Sequence, residues 1–311
     1  MQQEASRKLG YAVASTMSYA QKLYEAGKIS YMRTDSTSLS EDAIENATAA
    51  IKSAYGDKYV FNRQFKTKDE NAQEAHEAIR PTDFSVNNAG SDPREKRLYD
   101  LIWKRAIASQ MADAQLERTT ATVNISTTTE DLIAQGEVVK FDGFLKVYLE
   151  GKDDEDDEEN SKMLPPLTIG QILDLDILKG TERFSRPSAR YTEASLVKAL
   201  EEKGIGRPST YAPTISTIIK REYVVKEDRE GKERSFREMI LKDNKISEKV
   251  NKETFGTEKS KLFPTSVGMV VNDFLVDNFK NVVDFKFTAD VEDEFDEIAN
   301  LDSKLIPFSN K

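Results

Sequence analysis

The spacing of apolar residues changes twice along this chain, and these changes limit the folds that it can adopt. Up to about residue 117 the apolar positions recur with the period of a helix, about 3.6 residues, beginning with residues 3–26. Residues 119–178 instead alternate or are β-branched, which is typical of strands. From about residue 182 the helical period returns. We therefore predict a mixed fold, predominantly α with a smaller β module, arranged in several domains.

The same pattern predicts three domains. Residues 1–117 form a helical domain, and 118–181 form a partial β module whose few strands cannot cover a sheet face by themselves. Residues 182–311 hold two helices with helix-turn-helix proportions and a β-ribbon at 223–262. Local signals predict further elements, which are helices starting at Ser38 and Asp92, a short helix at 71–80, strands at 120–125, 138–149 and 172–178, and a strand at 282–287 between two final helices.

Charge is distributed unevenly over the 311 residues. The net charge is −10, and residues 153–159 alone carry seven negative charges, within a predicted disordered loop at 151–162. Residues 183–221 hold eight Lys or Arg against three Glu, so this segment is locally basic and suited to a polyanion. The chain has no cysteine, which excludes disulfides and thiolate metal sites. Because no apolar run approaches the length of a membrane span, we expect a cytoplasmic protein without a membrane contact.

The segment from Ile29 to Thr37 holds the residues with the clearest chemical potential. In an extended segment, Tyr31 and Arg33 would project to the same face. A phenol is a poor nucleophile because its ordinary pKa is about 10, but a neighbouring guanidinium favours the phenolate and can hold a phosphodiester oxygen for attack. The pair therefore predicts a site that breaks a nucleic-acid strand and holds its end on Tyr31. A buried tyrosine beside a surface arginine is the purely structural alternative.

This segment resembles the active-site signature of the type IA DNA topoisomerase family, which consists of tyrosine, methionine, arginine, threonine, aspartate and serine. Further stretches resemble the same family in the same order, at residues 72–81, 139–148, 190–198 and 204–212. The resemblance implies an arch-like arrangement of domains that relaxes negatively supercoiled DNA. Tyr31 would attack a backbone phosphorus and keep the 5′ phosphate while the other strand passes through the gap. The chain has no glycine-rich loop of the P-loop type, so nothing indicates that ATP is used.

The resemblance implies roles for several other residues. Arg33 would hold the scissile phosphate, and His76 would lie near the tyrosine and the broken strand, where its charge could pair with a phosphate. A structural histidine is the alternative for His76. Gln21 and Glu25 precede the signature segment on a predicted helix, and they would make polar contacts near Tyr31.

A second site is predicted at residues 207–210, where a helix begins and where free backbone N–H groups and the helix dipole favour anions. Ser209 would cap this helix, and Arg207 would bind a phosphate together with the hydroxyls of Ser209 and Thr210. Arg190 and Arg221 lie in the same basic segment. Similarity to the family implies that this segment seats a single DNA strand. An ordinary capped helix start is the alternative.

Type IA enzymes begin with a domain whose acidic cluster binds Mg²⁺, and no stretch of this chain resembles it. We therefore expect a monomeric central fragment that binds single-stranded DNA, is inactive alone and has the N-terminal domain as its partner and source of Mg²⁺. No metal site is predicted in the chain, since Asp174 and Asp176 share the wet face of a strand and Asp228 lacks companion aspartates. The expected location is the cytoplasm, in association with the nucleoid. A tyrosine recombinase-like strand transferase and a non-enzymatic winged-helix DNA-binding module remain as alternatives.

Overall fold

A computed structural model describes residues 1–65, 77–149, 164–165 and 167–291, together with residues 294, 295 and 298. Its helices are α1 (Gln2–Leu9), α2 (Val13–Glu25), α3 (Glu41–Tyr55), α4 (Pro93–Ser109), α5 (Glu193–Glu202), α6 (Tyr211–Lys220), α7 (Ser266–Asn278) and α8 (Lys280–Val283). Its strands are β1 (Gln115–Asn124), β2 (Asp131–Phe141), β3 (Ile177–Thr181), β4 (Val224–Arg229), β5 (Lys232–Lys242), β6 (Lys245–Phe255) and β7 (Glu258–Pro264). The prediction of a mixed fold is confirmed. None of the helices in these ranges combines the length and the apolar character needed to cross a membrane.

The larger core packs α1 to α4 together, and α4 contributes eight buried apolar residues to it. The predicted start of α4 is confirmed. The Asp92 side chain accepts hydrogen bonds from the backbone N–H groups of Arg94 and Glu95, and Pro93 occupies the first helical position. A local capping signal therefore determines where this helix begins, and its apolar face determines where it packs.

Two helical predictions near the N-terminus are wrong in detail. The single helix predicted over residues 3–26 is divided into α1 and α2 at Gly10, whose left-handed conformation (φ 68°) ends the first helix. The start predicted at Ser38 lies two residues too early. The Ser40 side chain, at the true N-cap of α3, accepts the backbone N–H of Ala43. Both errors concern helix ends, and most apolar positions of these helices are buried or partly buried as their period indicates, although Tyr24 is exposed.

The strands form three separate antiparallel sheets. β1 and β2 pair with each other, with Asn124 opposite Asp131 next to the connecting turn. β3, β5 and β6 form the second sheet with β5 in the centre, and Lys242 opposite Lys245 marks the tight turn between β5 and β6. β4 pairs with β7. Four strands, β4 to β7, thus occupy the region predicted as a β-ribbon.

Two strand predictions in the middle of the chain need correction. The strand predicted over residues 138–149 ends at Phe141, because the chain then turns through a 3-10 helix at Gly143–Lys146. The strand predicted over 172–178 forms only from Ile177 onward, as β3. β3 pairs with β5 and not with β1 or β2, so the sequence order of strands does not follow their pairing.

The strand predicted at 282–287 is also wrong. α8 ends at Val283, and residues 285–291 are helical. The Asp284 side chain accepts the backbone N–H of Lys286, so it initiates a helix at this point. Alternation of apolar residues over such a short segment is therefore outweighed by one side-chain hydrogen bond.

A second, smaller core joins α2 to the α5–α6 pair. Val13 on α2 packs with Val197 on α5 and with Ile215 on α6, and all three side chains are buried. Burial of an aliphatic side chain stabilises such a contact by about 1.5–3 kcal/mol. This core therefore holds α6 against α2.

Candidate functional site

The end of α2 determines the path of the signature segment. Gly27 is left-handed (φ 65°), and its N–H donates to the carbonyl of Tyr24, while the N–H of Lys28 donates to the carbonyl of Leu23. These two bonds form a Schellman motif, which satisfies two carbonyls at the end of the helix. Ile29, which is fully buried, follows directly and anchors the segment in the larger core.

The signature segment is not a strand, so the expectation of an extended run with Tyr31 and Arg33 on one face is wrong. Only residue 29 makes a β-bridge, and the following residues bend. The hydroxyls of the segment supply a reason, because Thr34 Oγ1 accepts the backbone N–H of Ser36 at 3.0 Å. Such local bonds compete with the ladder of a sheet. Tyr31 is half-buried against the larger core, whereas Arg33 is exposed.

Residues 77–82 hold the signature segment in place. The Ser30 N–H donates to the carbonyl of Arg80 at 2.9 Å, and the Ser30 hydroxyl donates to the carbonyl of Ala78 at 2.8 Å. Glu77 accepts the N–H of Ser40 at 3.1 Å and binds the Arg80 guanidinium at 2.6 Å. Burial opposes ionisation of Glu77, but the hydrogen bond from Ser40 and the charge of Arg80 hold the pKa of Glu77 below its usual value. The charged carboxylate thus ties α3 to the segment beside the signature.

Arg33 lines a cleft between the signature segment, α2 and α6. The cleft has a volume of about 230 Å³, and its apolar lining includes Ala14 and Met17 from α2. Its polar lining residues are Arg33, Ser209 and Ser216. A cation and hydroxyls suit a phosphate, and an adjacent apolar surface suits an unstacked base. Two residues predicted from separate motifs, Arg33 and Ser209, therefore lie in one cleft.

The turn before α6 is arranged differently from the prediction. The N-cap of α6 is Thr210 rather than Ser209, and its side chain does not cap the helix. The Thr210 hydroxyl instead accepts the N–H of Arg207 at 2.8 Å and stabilises the turn. Gly206 is left-handed (φ 80°), and a Cβ atom there would lie 2.9 Å from the Thr210 hydroxyl oxygen. This tight turn leaves Ser209 exposed in the cleft.

Other predicted residues do not line this cleft. The Arg190 guanidinium lies over the ring of Phe263, 4.8 Å from its centroid. Arg221 is exposed at the C-terminal end of α6. Gln21 donates from its side-chain amide to the Glu25 carboxylate at 2.7 Å, one turn along α2. The roles of these residues in binding DNA remain predictions.

The Tyr31 ring packs edge-on against the ring of Tyr24, with centroids 5.4 Å apart and an interplanar angle of 70°. It is thus close to the last turn of α2, and it is not among the residues that line the cleft. His76 and most of the predicted helix at 71–80 lie outside the described residues. Within the described ranges, no group of three or more His, Asp or Glu side chains is arranged to bind a metal ion.

Three contributors to this region were not predicted, namely Met17, Ser216 and Glu193. Ala212 and Ser216 lie one turn apart on α6 and Ser209 lies just before this helix, so the run of small residues could have been recognised. No local pattern distinguishes Glu193, because its contacts are made with residues far away in the sequence.

A sequence profile of the DNA topoisomerase family matches residues 1–236 of this chain, which is more than half of its length. The chain belongs to the DNA topoisomerase family. The matched range includes the signature segment, the residues around Glu77 and the whole lining of the cleft. The resemblance of the separate motifs to this family is thereby confirmed.

Individual relatives agree with this assignment. The chain is 42% identical to the prokaryotic-type DNA topoisomerase 1 of Acanthamoeba polyphaga mimivirus over 96% of its own length and 37% of that protein. It is 43% identical to DNA topoisomerase 1 of Mycolicibacterium smegmatis over 96% of its length and 30% of that protein. The structure of full-length topoisomerase I from Thermotoga maritima is similar with a TM-score of 0.72 and 34% identity, over 96% of this chain and 44% of that one. The chain therefore spans about a third of the length of the relatives that it matches.

Proposed function

We propose that the protein containing this chain is a type IA DNA topoisomerase that relaxes negatively supercoiled DNA without ATP. The observation that supports this most directly is the cleft in which Arg33, two residues from Tyr31, lies with Ser209. Family membership supports the reaction class, and the cleft supports the residues. The guanidinium and hydroxyl groups of the cleft residues suit the phosphates of a single strand, and the apolar wall of the cleft suits its bases.

The proposed chemistry is a reversible exchange of one phosphodiester for another. The Tyr31 oxygen loses its proton and attacks a backbone phosphorus, the bond from that phosphorus to the 3′ oxygen breaks, and the 3′ oxygen takes up a proton. Tyr31 then holds the 5′ phosphate as an ester. Arg33 stabilises the charge that develops on the non-bridging oxygens. Return attack by the 3′ hydroxyl on the phosphorus breaks the bond to Tyr31 and closes the strand, and no nucleotide is needed because the tyrosine ester preserves the free energy of the broken phosphodiester bond.

The chain is proposed to act as a monomeric part of a larger protein in the cytoplasm, at the nucleoid. Mg²⁺ would be held by an N-terminal domain, as the resemblance to type IA enzymes implies. His76 would assist proton transfer or bind a phosphate. Without the N-terminal domain, the chain would lack the catalytic groups that the resemblance assigns to that domain. The loss of one positioned proton-transfer group typically lowers a rate by about 10²–10⁴-fold. We therefore expect this chain to bind single-stranded DNA and to be almost inactive alone.

The α5–α6 pair, with β4 directly after it, is proposed to be a winged helix-turn-helix unit within an arch-like assembly of domains. Arg207, Ser209 and Thr210 would contact phosphates at the start of α6. Arg190 and Arg221 would extend the basic surface on either side. Gln21 and Glu25 would order the last turn of α2 beside Tyr31.

The test of the reaction is a covalent-adduct assay with the intact protein, Mg²⁺ and a single strand labelled at its 3′ end. The native protein should form a denaturant-resistant adduct that retains the label, since the ester is made to the 5′ phosphate. Tyr31→Phe should form none. Tyr24→Phe removes the equivalent hydroxyl from the neighbouring ring and should leave the adduct intact. An adduct in Tyr31→Phe, or one carrying a 5′-end label, would refute the proposed chemistry.

A salt titration tests the proposed clamp. Arg207→Ala should weaken single-strand binding and reduce the slope of log K against log salt by roughly 0.7 for each phosphate that the protein no longer neutralises. Arg118→Ala is the matched control, because Arg118 is an exposed arginine paired with Glu137 on the β1–β2 sheet and does not line the cleft. An unchanged slope in Arg207→Ala would remove this residue from the binding surface.

One observation favours a second candidate function, a non-enzymatic winged-helix DNA-binding module. Tyr31 is half-buried and its ring packs on Tyr24, which is the environment of a structural tyrosine. Strong binding of single strands by the intact protein, without any adduct in the presence of Mg²⁺, would establish this alternative.

A further inference from the structure

Glu193 is a buried carboxylate on α5 that contacts two other elements. Only 6% of the residue is exposed, and it occupies the first position of α5. Its Oε2 atom accepts the backbone N–H of Val13, the first residue of α2, at 2.7 Å. Its Oε1 atom accepts a hydrogen bond from Nζ of Lys226, on β4, at 2.8 Å. One side chain therefore links α2, α5 and β4.

The N-terminus of α2 needs such a partner. Its N-cap is Ala12, whose side chain cannot accept a hydrogen bond from the first turn. The first four N–H groups of a helix have no partner within the helix, and they place a partial positive charge at that end. By contrast, α5 has its own cap, formed by Thr192 and Ser195. Glu193 thus supplies to α2, from a distant part of the chain, the acceptor that Ala12 lacks.

The capped turn of α2 also forms part of the cleft wall. Ala14 and Met17 line the cleft from α2, and Ala212 and Ser216 line it from α6. The small core around Val13 holds these helices together, but apolar contacts do not fix direction. The 2.7 Å hydrogen bond from Val13 to Glu193 does restrict the orientation of α2, because a charged hydrogen bond requires a defined geometry.

We propose that Glu193 is a positioning residue. It caps α2 from a distant part of the same chain and thereby sets the spacing between the α2 and α6 walls of the cleft. This role rests on the proposed function, because it concerns the alignment of Arg33 with a single DNA strand bound at Ser209. Glu193 itself does not line the cleft. It acts through α2, and Lys226 keeps its second oxygen oriented.

Amide hydrogen exchange, followed by NMR on this chain, tests the contact directly. Glu193→Ala should speed exchange at Val13 roughly 2- to 30-fold, which corresponds to the measured cost of losing a helix N-cap. Glu193→Gln keeps an acceptor and should have a smaller effect. Glu202→Gln makes the same chemical change at an exposed site on the same helix and should have none. Unchanged exchange at Val13 in Glu193→Ala would overturn the proposal.

Adduct kinetics in the intact protein test the positioning role. At a temperature well below unfolding, Glu193→Ala should lower the rate of adduct formation at saturating strand by about tenfold, with partial rescue in Glu193→Gln. A merely structural residue would lower the melting temperature and leave this rate unchanged, so equal rates would overturn the positioning role alone. A native protein that forms no adduct would overturn the proposed function, and the positioning role with it, while the exchange data would still decide whether Glu193 caps α2.

Discussion

Glu95 provides the most quantitative prediction, because its environment is specific and close to the site. It lies in the first turn of α4 and is only 3% exposed. Its Oε2 atom accepts both the hydroxyl of Ser91 at 2.6 Å and the N–H of Ser91 at 2.8 Å. Its other oxygen lies 3.3 Å from Nζ of Lys22, which is on α2 one turn before the end of that helix. Glu95 therefore ties α4 to the helix that leads into the signature segment.

The magnitude follows from the pKa of Glu95. The two hydrogen bonds from Ser91, with a smaller contribution from Lys22 and against the effect of burial, lower this pKa from 4.5 to about 2. A lowering of this size corresponds to about 3 kcal/mol of stability at neutral pH. The Lys22 side chain is 55% exposed, so water screens part of the interaction. We expect Glu95→Gln to reduce the free energy of unfolding by about 1–3 kcal/mol at pH 7.

The sign of the pH dependence is defined by the lowered pKa. The stabilisation is fully present above the unfolded pKa of 4.5 and is lost as the pH falls through about 2. Urea unfolding can be followed through Trp103, the single tryptophan, which is buried in the same helix as Glu95. The difference between the native protein and Glu95→Gln should shrink to about 0.5 kcal/mol near pH 2.

Glu45→Gln is the matched control, since Glu45 is exposed on α3 and should show no such difference at any pH. A difference between native protein and Glu95→Gln that is the same at pH 7 and pH 2 would refute the reasoning. It would mean that the loss came from packing and not from the charge of the carboxylate.

Two further predictions concern the turns that frame the site. Ser40→Ala should destabilise the protein by about 1 kcal/mol, because Ser40 caps α3, and Ser38→Ala should cost less; urea midpoints decide between them. Gly206→Ala should cost about 1–3 kcal/mol and weaken single-strand binding, because its left-handed backbone and the 2.9 Å approach to Thr210 oppose a side chain. Gly170→Ala is the control, since Gly170 is also left-handed (φ 82°) but has no atom within 4 Å of the added Cβ; equal losses of strand binding in both variants would contradict the role of the close contact.

The elements that the sequence predicts well are those with local signals. Asp92 followed by Pro93 starts α4 where expected, and Gly27 ends α2. Capping and left-handed turns depend on residues within one turn of each other, so a single segment contains the whole signal. Short alternation failed at residues 282–287, where the Asp284 side chain starts a helix instead. Local signals also failed in places, because Ser40 and not Ser38 caps α3, and Gly10 divides the helix predicted over residues 3–26.

In the candidate site, the sequence identified the residues but not the local backbone conformation around them. Tyr31, Arg33 and Ser209 were recognisable as chemical residues from their motifs, but the extended strand expected around Tyr31 is absent because Thr34 and neighbouring hydroxyls bond to their own backbone. The cap expected from Ser209 is absent too. Both differences concern the backbone conformation and hydrogen bonding around a motif, which the residues of the motif alone do not specify.

By itself, therefore, the sequence determined the mixed class of the fold, several helix ends and the resemblance to a family. Only the tertiary structure decided that Arg33 and Ser209 share a cleft, and that Glu193 caps a helix far from it in the chain. The physical reason is that hydrogen bonds within a turn are specified by neighbouring residues. The relative placement of α2 and α6 depends instead on side chains such as Val13 and Ile215, which meet only after the chain has folded.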